Sequence, residues 1–81
     1  MRLSIGEMPS ELSNYLQNAY ELQYELYDYL YTHGIKNARD ASVTGYYIDG
    51  DEKTATIQIK VIDAGNVTAL YNRDDNSYSF W

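Results

Sequence analysis

Three clusters in this 81-residue chain contain side chains of the types that do chemistry. Asp49, Asp51 and Glu52 in IDGDEK bring carboxylates together at a density that suits a calcium loop. The pattern is incomplete, because Lys53 stands where an oxygen ligand is needed and no Glu follows at the twelfth position. Asp49-Gly50 is therefore read as a hairpin turn, and Asp74-Asp75 also as turn chemistry. His33 is the only histidine, and its place near a helix end gives it a structural role. No GxSxG, P-loop or GxGxxG run occurs. The sequence nominates no catalytic residue, no metal ligands and no cofactor. The expectation is a protein that is not an enzyme, since so small a core can hardly spare a pocket of ~300 Å³ or more.

The chemistry that remains is that of binding. In YELQYELYDYLYTHG, residues 20–34, there are five tyrosines (Tyr20, Tyr24, Tyr27, Tyr29 and Tyr31), three acids and no Lys or Arg. On a helical wheel at 100° per residue with Leu12 at zero, Leu16, Ala19, Gln23, Leu26 and Leu30 fall within about 40° of zero. Tyr15 and Leu22 widen that stripe on one side. Tyr20, Tyr24, Tyr27 and Tyr31 lie at roughly 60–120°, and Glu21, Glu25 and Asp28 at roughly 160–220°. The tyrosines thus form a stripe between core and acids. These seven residues, Tyr20, Glu21, Tyr24, Glu25, Tyr27, Asp28 and Tyr31, are the candidate partner-binding set. Tyrosine combines apolar area with a polar tip and is enriched in interfaces. The acids carry a field of one sign, where a merely solvated helix face usually mixes signs to gain i,i+4 pairs.

The elements that would position this stripe are legible as patterns. Pro9 precedes a periodic segment, Ser10 reads as its N-cap, and Glu11 suits the positive end of a helix. Gly34 suits a left-handed C′ position, with Ile35 folding back on Leu30. One long helix is predicted over 11–33. The period then changes to two: Ala55, Ile57, Ile59 and Val61 alternate with Thr54, Thr56, Gln58 and Lys60. Strands are predicted at 42–48, 54–62, 67–72 and 77–81. A three-residue loop Asp63-Ala64-Gly65 would set Val61 opposite Val67 and Ile59 opposite Ala69. Leu3 and Ile5 are left between a core role and an edge role. The expected fold is a single α+β domain over 1–81, one long N-terminal helix packed in two layers on an antiparallel three- or four-stranded meander.

Composition limits the partners. The net charge is −6 and the pI near 4.4, so direct binding to nucleic acid or anionic lipid is disfavoured and a basic partner is favoured. With no cysteine, no apolar signal segment and no run approaching the ~20 residues of a membrane span, a cytoplasmic protein is expected. In size, acidity and the Tyr/acid segment 20–31, the chain resembles small phage-encoded antagonists of the anti-CRISPR and DNA-mimic kind. That resemblance implies inhibition of a basic partner, a Cas-type nuclease or another DNA- or RNA-binding protein of a bacterial host, by occupation of its nucleic-acid-binding surface. Two alternatives stand beside it: an immunity or antitoxin-like protein that neutralises a nuclease toxin, and a homodimer that buries the tyrosine stripe against itself.

Overall fold

A computed structural model describes residues 3–6, 8–16 and 18–81. Within them, five strands form one curled sheet in the order β1-β2-β3-β4-β5. They are β1 (Ser4–Ile5), β2 (Asp40–Ile48), β3 (Thr54–Val61), β4 (Gly65–Asn72) and β5 (Ser77–Phe80). Two short helices, α1 (Ser10–Tyr15) and α2 (Ala19–Thr32), lie between β1 and β2. This overturns the expected fold class. The curled sheet predominates, the single long helix over 11–33 does not exist, and the sheet is no simple meander. β1 pairs with β2 in parallel, Ser4 opposite Asp40 and Ile5 opposite Ala41.

The helix breaks for a local reason. Leu16 and Asn18 are both extended, with ψ of 122° and 102°. Asn18 Oδ1 accepts the Tyr20 N–H at 3.0 Å, and the Asn18 carbonyl accepts the Glu21 N–H at 3.1 Å. Asn18 is a side-chain N-cap, which stabilises a helix start by about 1 kcal/mol. The break lets α1 bury Leu12, Tyr15 and Leu16 in the same core that receives Leu22, Leu26 and Leu30 of α2. Ser10 is not the cap of α1: Pro9 holds that position, its carbonyl accepting the Ser13 N–H at 2.9 Å. At the other end, Gly34 has φ +86°, the Ile35 N–H donates to the Leu30 carbonyl, and the Gly34 N–H donates to that of Tyr31. This is a Schellman closure.

Ala55, Ile57, Ile59 and Val61 are buried along β3, and Val67, Ala69 and Tyr71 face the same core from β4. Their register differs from the expected one by two residues: Ile59 pairs with Val67, Ile57 with Ala69, and Val61 with Gly65. A two-residue slip keeps every side chain on its face, so the apolar pattern cannot exclude it. The turn decides. Ala64 N–H donates to the Val61 carbonyl at 3.0 Å, and Asp63 and Gly65 both take positive φ. The loop before β3 is also longer than an Asp-Gly turn. Glu52, at φ +57°, takes the left-handed position, and the Asp49 N–H donates to the Thr54 carbonyl. In β2 the register shifts between Val43 and Gly45, so core positions pass from Ala41 and Val43 to Tyr46 and Ile48. Such a bulge bends a strand and adds to its twist, which contributes to the curl.

α2 runs between the two outer strands. At β1, the Ile5 N–H donates to Gln23 Oε1 at 2.9 Å. Toward β5, Asn76 Nδ2 donates to Glu21 Oε2 at 2.8 Å, and the Tyr29 ring lies 5.3 Å from that of Phe80. Leu3 is buried and Ile5 half-buried, so the segment before α1 serves both core and edge.

Candidate interaction surface

The fully buried residues Leu22, Leu26 and Leu30 set the orientation of α2, with Gln23 and Tyr29 half-buried on either side. The buried face is centred on Leu26, a rotation of roughly 40° from the orientation the wheel predicts. The rotation turns the tyrosine stripe outward; Glu21 is half-buried where Asn76 covers it. Tyr20 is 70% exposed, Tyr24 56% and Tyr31 48%, while Tyr27 is half-buried with its ring 6.0 Å from that of Tyr31. Lys36 closes the stripe at its C-terminal end, with Nζ 5.3 Å from the centre of the Tyr31 ring. From Tyr20 to Tyr31 the stripe rises about 16 Å along the axis.

Glu25 and Asp28 are exposed, but Glu21 is half-buried and holds Asn76. The expected row of three free carboxylates is therefore two free carboxylates and one tied to the β4–β5 turn. Glu7, one of the five acids between Leu3 and Ile35, lies outside the described residues, as does the side chain of Ala19.

Beside the stripe is a groove of about 380 Å³, lined by Ser4, Ile5, Gly6, Met8, Tyr20 and Gln23. It lies where β1 approaches α2 and offers apolar surface continuous with Tyr20. No pattern in the sequence points to it, because β1 is too short to show a period.

A second, larger groove of about 500 Å³ is lined by Glu11, Asn14, Tyr15, Ile48, Asp49, Gly50, Glu52 and Arg73. The sequence-based expectation that so small a core has no pocket to spare misses it, because it is an open surface groove between α1 and the β2–β3 loop. Its hydroxyls are committed. Tyr15 donates to the Glu52 carbonyl at 2.7 Å, and the nearby Tyr46 donates to Glu11 Oε1 at 2.6 Å. Burial raises the Tyr15 hydroxyl above its ordinary range, though Arg73, 4.9 Å from the ring, opposes this. The bond to Glu11 raises Tyr46. Both phenols are held protonated and are structural donors at neutral pH. Among the described residues, no group of three or more His, Asp or Glu is placed to hold a metal ion.

Four further tyrosines are explained by packing. Tyr15, Tyr71, Tyr78, Phe80, Tyr29 and His33 form a chain of neighbouring rings with centroids 4.3–6.1 Å apart, along the seam between the helices and the β5 side of the sheet. Edge and tilted pairs of this kind add about 0.5–1.5 kcal/mol each beyond area burial. Eight of the ten tyrosines thus fall into two groups, a packed ladder and an outward-facing stripe. Exposed apolar side chains also occur away from the stripe, at Tyr47, Ile62 and Trp81. No helix among the described residues is long and apolar enough to cross a membrane. No family model matches the chain, and neither does any curated protein or solved structure.

Proposed function

We propose that this is a non-enzymatic binding protein that inhibits a basic, nucleic-acid-handling protein of a bacterial cytoplasm, a Cas-type nuclease or another DNA- or RNA-binding protein, by occupying its nucleic-acid-binding surface. The observation that carries the reading is the exposure of Tyr20, Tyr24 and Tyr31 on one face of α2, beside the free carboxylates of Glu25 and Asp28. Rigid aromatic side chains supply the contact area typical of binding hot spots. The carboxylates and the net charge of −6 supply attraction to a basic surface and repulsion from nucleic acid. The groove at Met8 and Ile5 offers a seat for one apolar side chain of the partner.

The test is capture from a bacterial lysate on the immobilised chain, followed by competition with the captured protein. The expected result is a basic protein whose binding to labelled DNA or RNA falls as this chain is added. The chain alone should not shift the labelled nucleic acid. A captured protein that binds nucleic acid equally well in its presence overturns the reading, and so does direct binding of nucleic acid by the chain.

A further inference from the structure

The two outer strands of the sheet end differently. On β1, the Ser4 N–H donates to the Arg39 carbonyl just before β2 and the Gly6 N–H to that of Ala41 in β2, and the outward N–H of Ile5 is taken by Gln23. On β5 nothing equivalent is present. Thr68 and Trp81 exchange both of their main-chain hydrogen bonds, at 2.9 and 3.0 Å. Paired residues of an antiparallel ladder alternate between bonded and non-bonded pairs. The Tyr71–Tyr78 and Ala69–Phe80 pairs are therefore non-bonded, and the N–H and C=O of Tyr78 and Phe80 point away from β4. Among the described residues none of these four groups has a hydrogen-bond partner. Unpaired groups on an outer strand are normally left to water, and α2 touches β5 through Tyr29–Phe80 and Glu21–Asn76 without bonding any of the four.

An open strand edge is a template for another strand unless it is blocked by charge, proline or a covering loop. The segment Ser77-Tyr78-Ser79-Phe80-Trp81 contains neither charge nor proline. Its surroundings are charged, and unevenly. Glu21 is fixed at the Ser77 end through Asn76, Asp75 accepts from the Ser77 hydroxyl, and Asp74 is adjacent. Glu25 is exposed on α2 and close enough to β5 for its charge to act on the Tyr78 hydroxyl. At the far end are the Tyr29 and His33 rings and Trp81, with no Asp or Glu side chain among them.

We infer that the β5 edge receives an extended segment of a basic protein as a sixth strand. Its main chain bonds to Tyr78 and Phe80, and its Lys or Arg side chains meet the carboxylates at the Ser77 end. The inference rests on the proposed function only for the sign of the partner's charge. The surface shares Glu25 with the tyrosine stripe and is otherwise a different one.

A capped hexapeptide of alternating lysine and valine is the probe, with its glutamate counterpart and an N-methylated version as controls. Trp81, the only tryptophan, reports binding by fluorescence, and amide exchange is followed by NMR. The lysine peptide is expected to slow exchange at Tyr78 and Phe80 about tenfold or more at saturation. The glutamate peptide should bind on the order of tenfold more weakly. N-methylation of the bonding edge should abolish protection. Unprotected Tyr78 and Phe80 amides, or equal binding of the two charge forms, overturn the inference. A free chain that is already a dimer with both amides protected also overturns it, since the edge then belongs to a second copy. Any of these outcomes leaves the competition experiment on the tyrosine surface to be decided separately.

Discussion

The Tyr71 hydroxyl donates to Asn76 Oδ1 at 2.8 Å. Tyr71 is completely buried, whereas Asn76 sits in the β4–β5 turn at φ +56°. The same amide donates from Nδ2 to Glu21. One asparagine thus satisfies a core phenol, shapes a turn and fastens α2 beside β5. Tyr71→Phe is expected to cost about 1 kcal/mol, the net value of one hydrogen bond. Asn76→Ala should cost roughly 1–3 kcal/mol, because it strands the buried hydroxyl and places a Cβ residue without a polar tip in the left-handed region. Urea denaturation of both variants measures this, and a smaller loss for Asn76→Ala than for Tyr71→Phe would contradict the bridging role.

Asn18→Ala should lower stability by about 1 kcal/mol, and Asn18→Asp should restore most of it. Far-ultraviolet circular dichroism against temperature reads both. If a continuous helix ran through residue 18, alanine would be favourable there, so the sign of the change distinguishes the two arrangements.

Ile59 is buried between Val43 and Val67 at the centre of the sheet. Ile59→Ala is expected to cost about 2–4 kcal/mol. For a chain of this length the whole stability is on the order of 4–12 kcal/mol, so a marked fall in the denaturation midpoint should be visible.

Tyr15, Tyr71 and Tyr78 are raised above the ordinary value of 10.0, chiefly by desolvation, and Tyr46 is raised by its bond to Glu11. Each is more readily protonated in the folded chain than in the unfolded one. Their contribution to stability is therefore fully present below about pH 10 and is lost as the pH rises through the folded values. Alkaline titration followed at the phenolate absorbance should show these groups ionising late, together with unfolding. Tyr46→Phe should remove the Tyr46 part of that lag.

On the partner recovered by capture, Glu25→Lys with Asp28→Lys should slow association, most strongly at low salt, because exposed charges are screened over about 8 Å at physiological ionic strength. Glu21 is unsuitable for this reversal, since it would also lose Asn76. Tyr24→Ala with Tyr31→Ala should instead speed dissociation. Surface plasmon resonance at two salt concentrations separates the two effects. Unchanged association by the charge-reversed chain would mean that Glu25 and Asp28 only solvate the helix.

The sequence speaks clearly where one residue type has one physical use. Gly34 is required at a positive φ, and the alternation from Ala55 to Val61 has a single buried face. It misleads where two signals overlap. The i,i+4 apolar spacing continues across residues 16–18, while Asn18 followed by Glu21 is the pattern of a new helix start, and the cap prevails. The rotation of α2 cannot be read from its own residues, because Gln23 lies on the apolar stripe for the sake of the Ile5 N–H, a partner 18 positions away. The tyrosine ladder is hidden for the same reason: Tyr15, Tyr29, Tyr71 and Tyr78 meet only when the sheet curls. The exposed members of the stripe depend only on their position along α2, and their spacing is visible in the sequence.

The bond from Ile5 to Gln23 also gives the sheet a valence. A sheet with two open sides can be extended indefinitely, each added molecule offering a fresh place for the next. Here the outward N–H of β1 is taken by a side chain from α2, and on the inference above only the β5 side would receive a strand. Whatever joins there, the chain terminates growth instead of relaying it: one visitor fills the position and none remains. Opening the sealed side, as Gln23→Leu would do, should convert a terminator into a link. Light scattering of a concentrated Gln23→Leu sample should then register a larger mean mass than the parent protein at the same concentration.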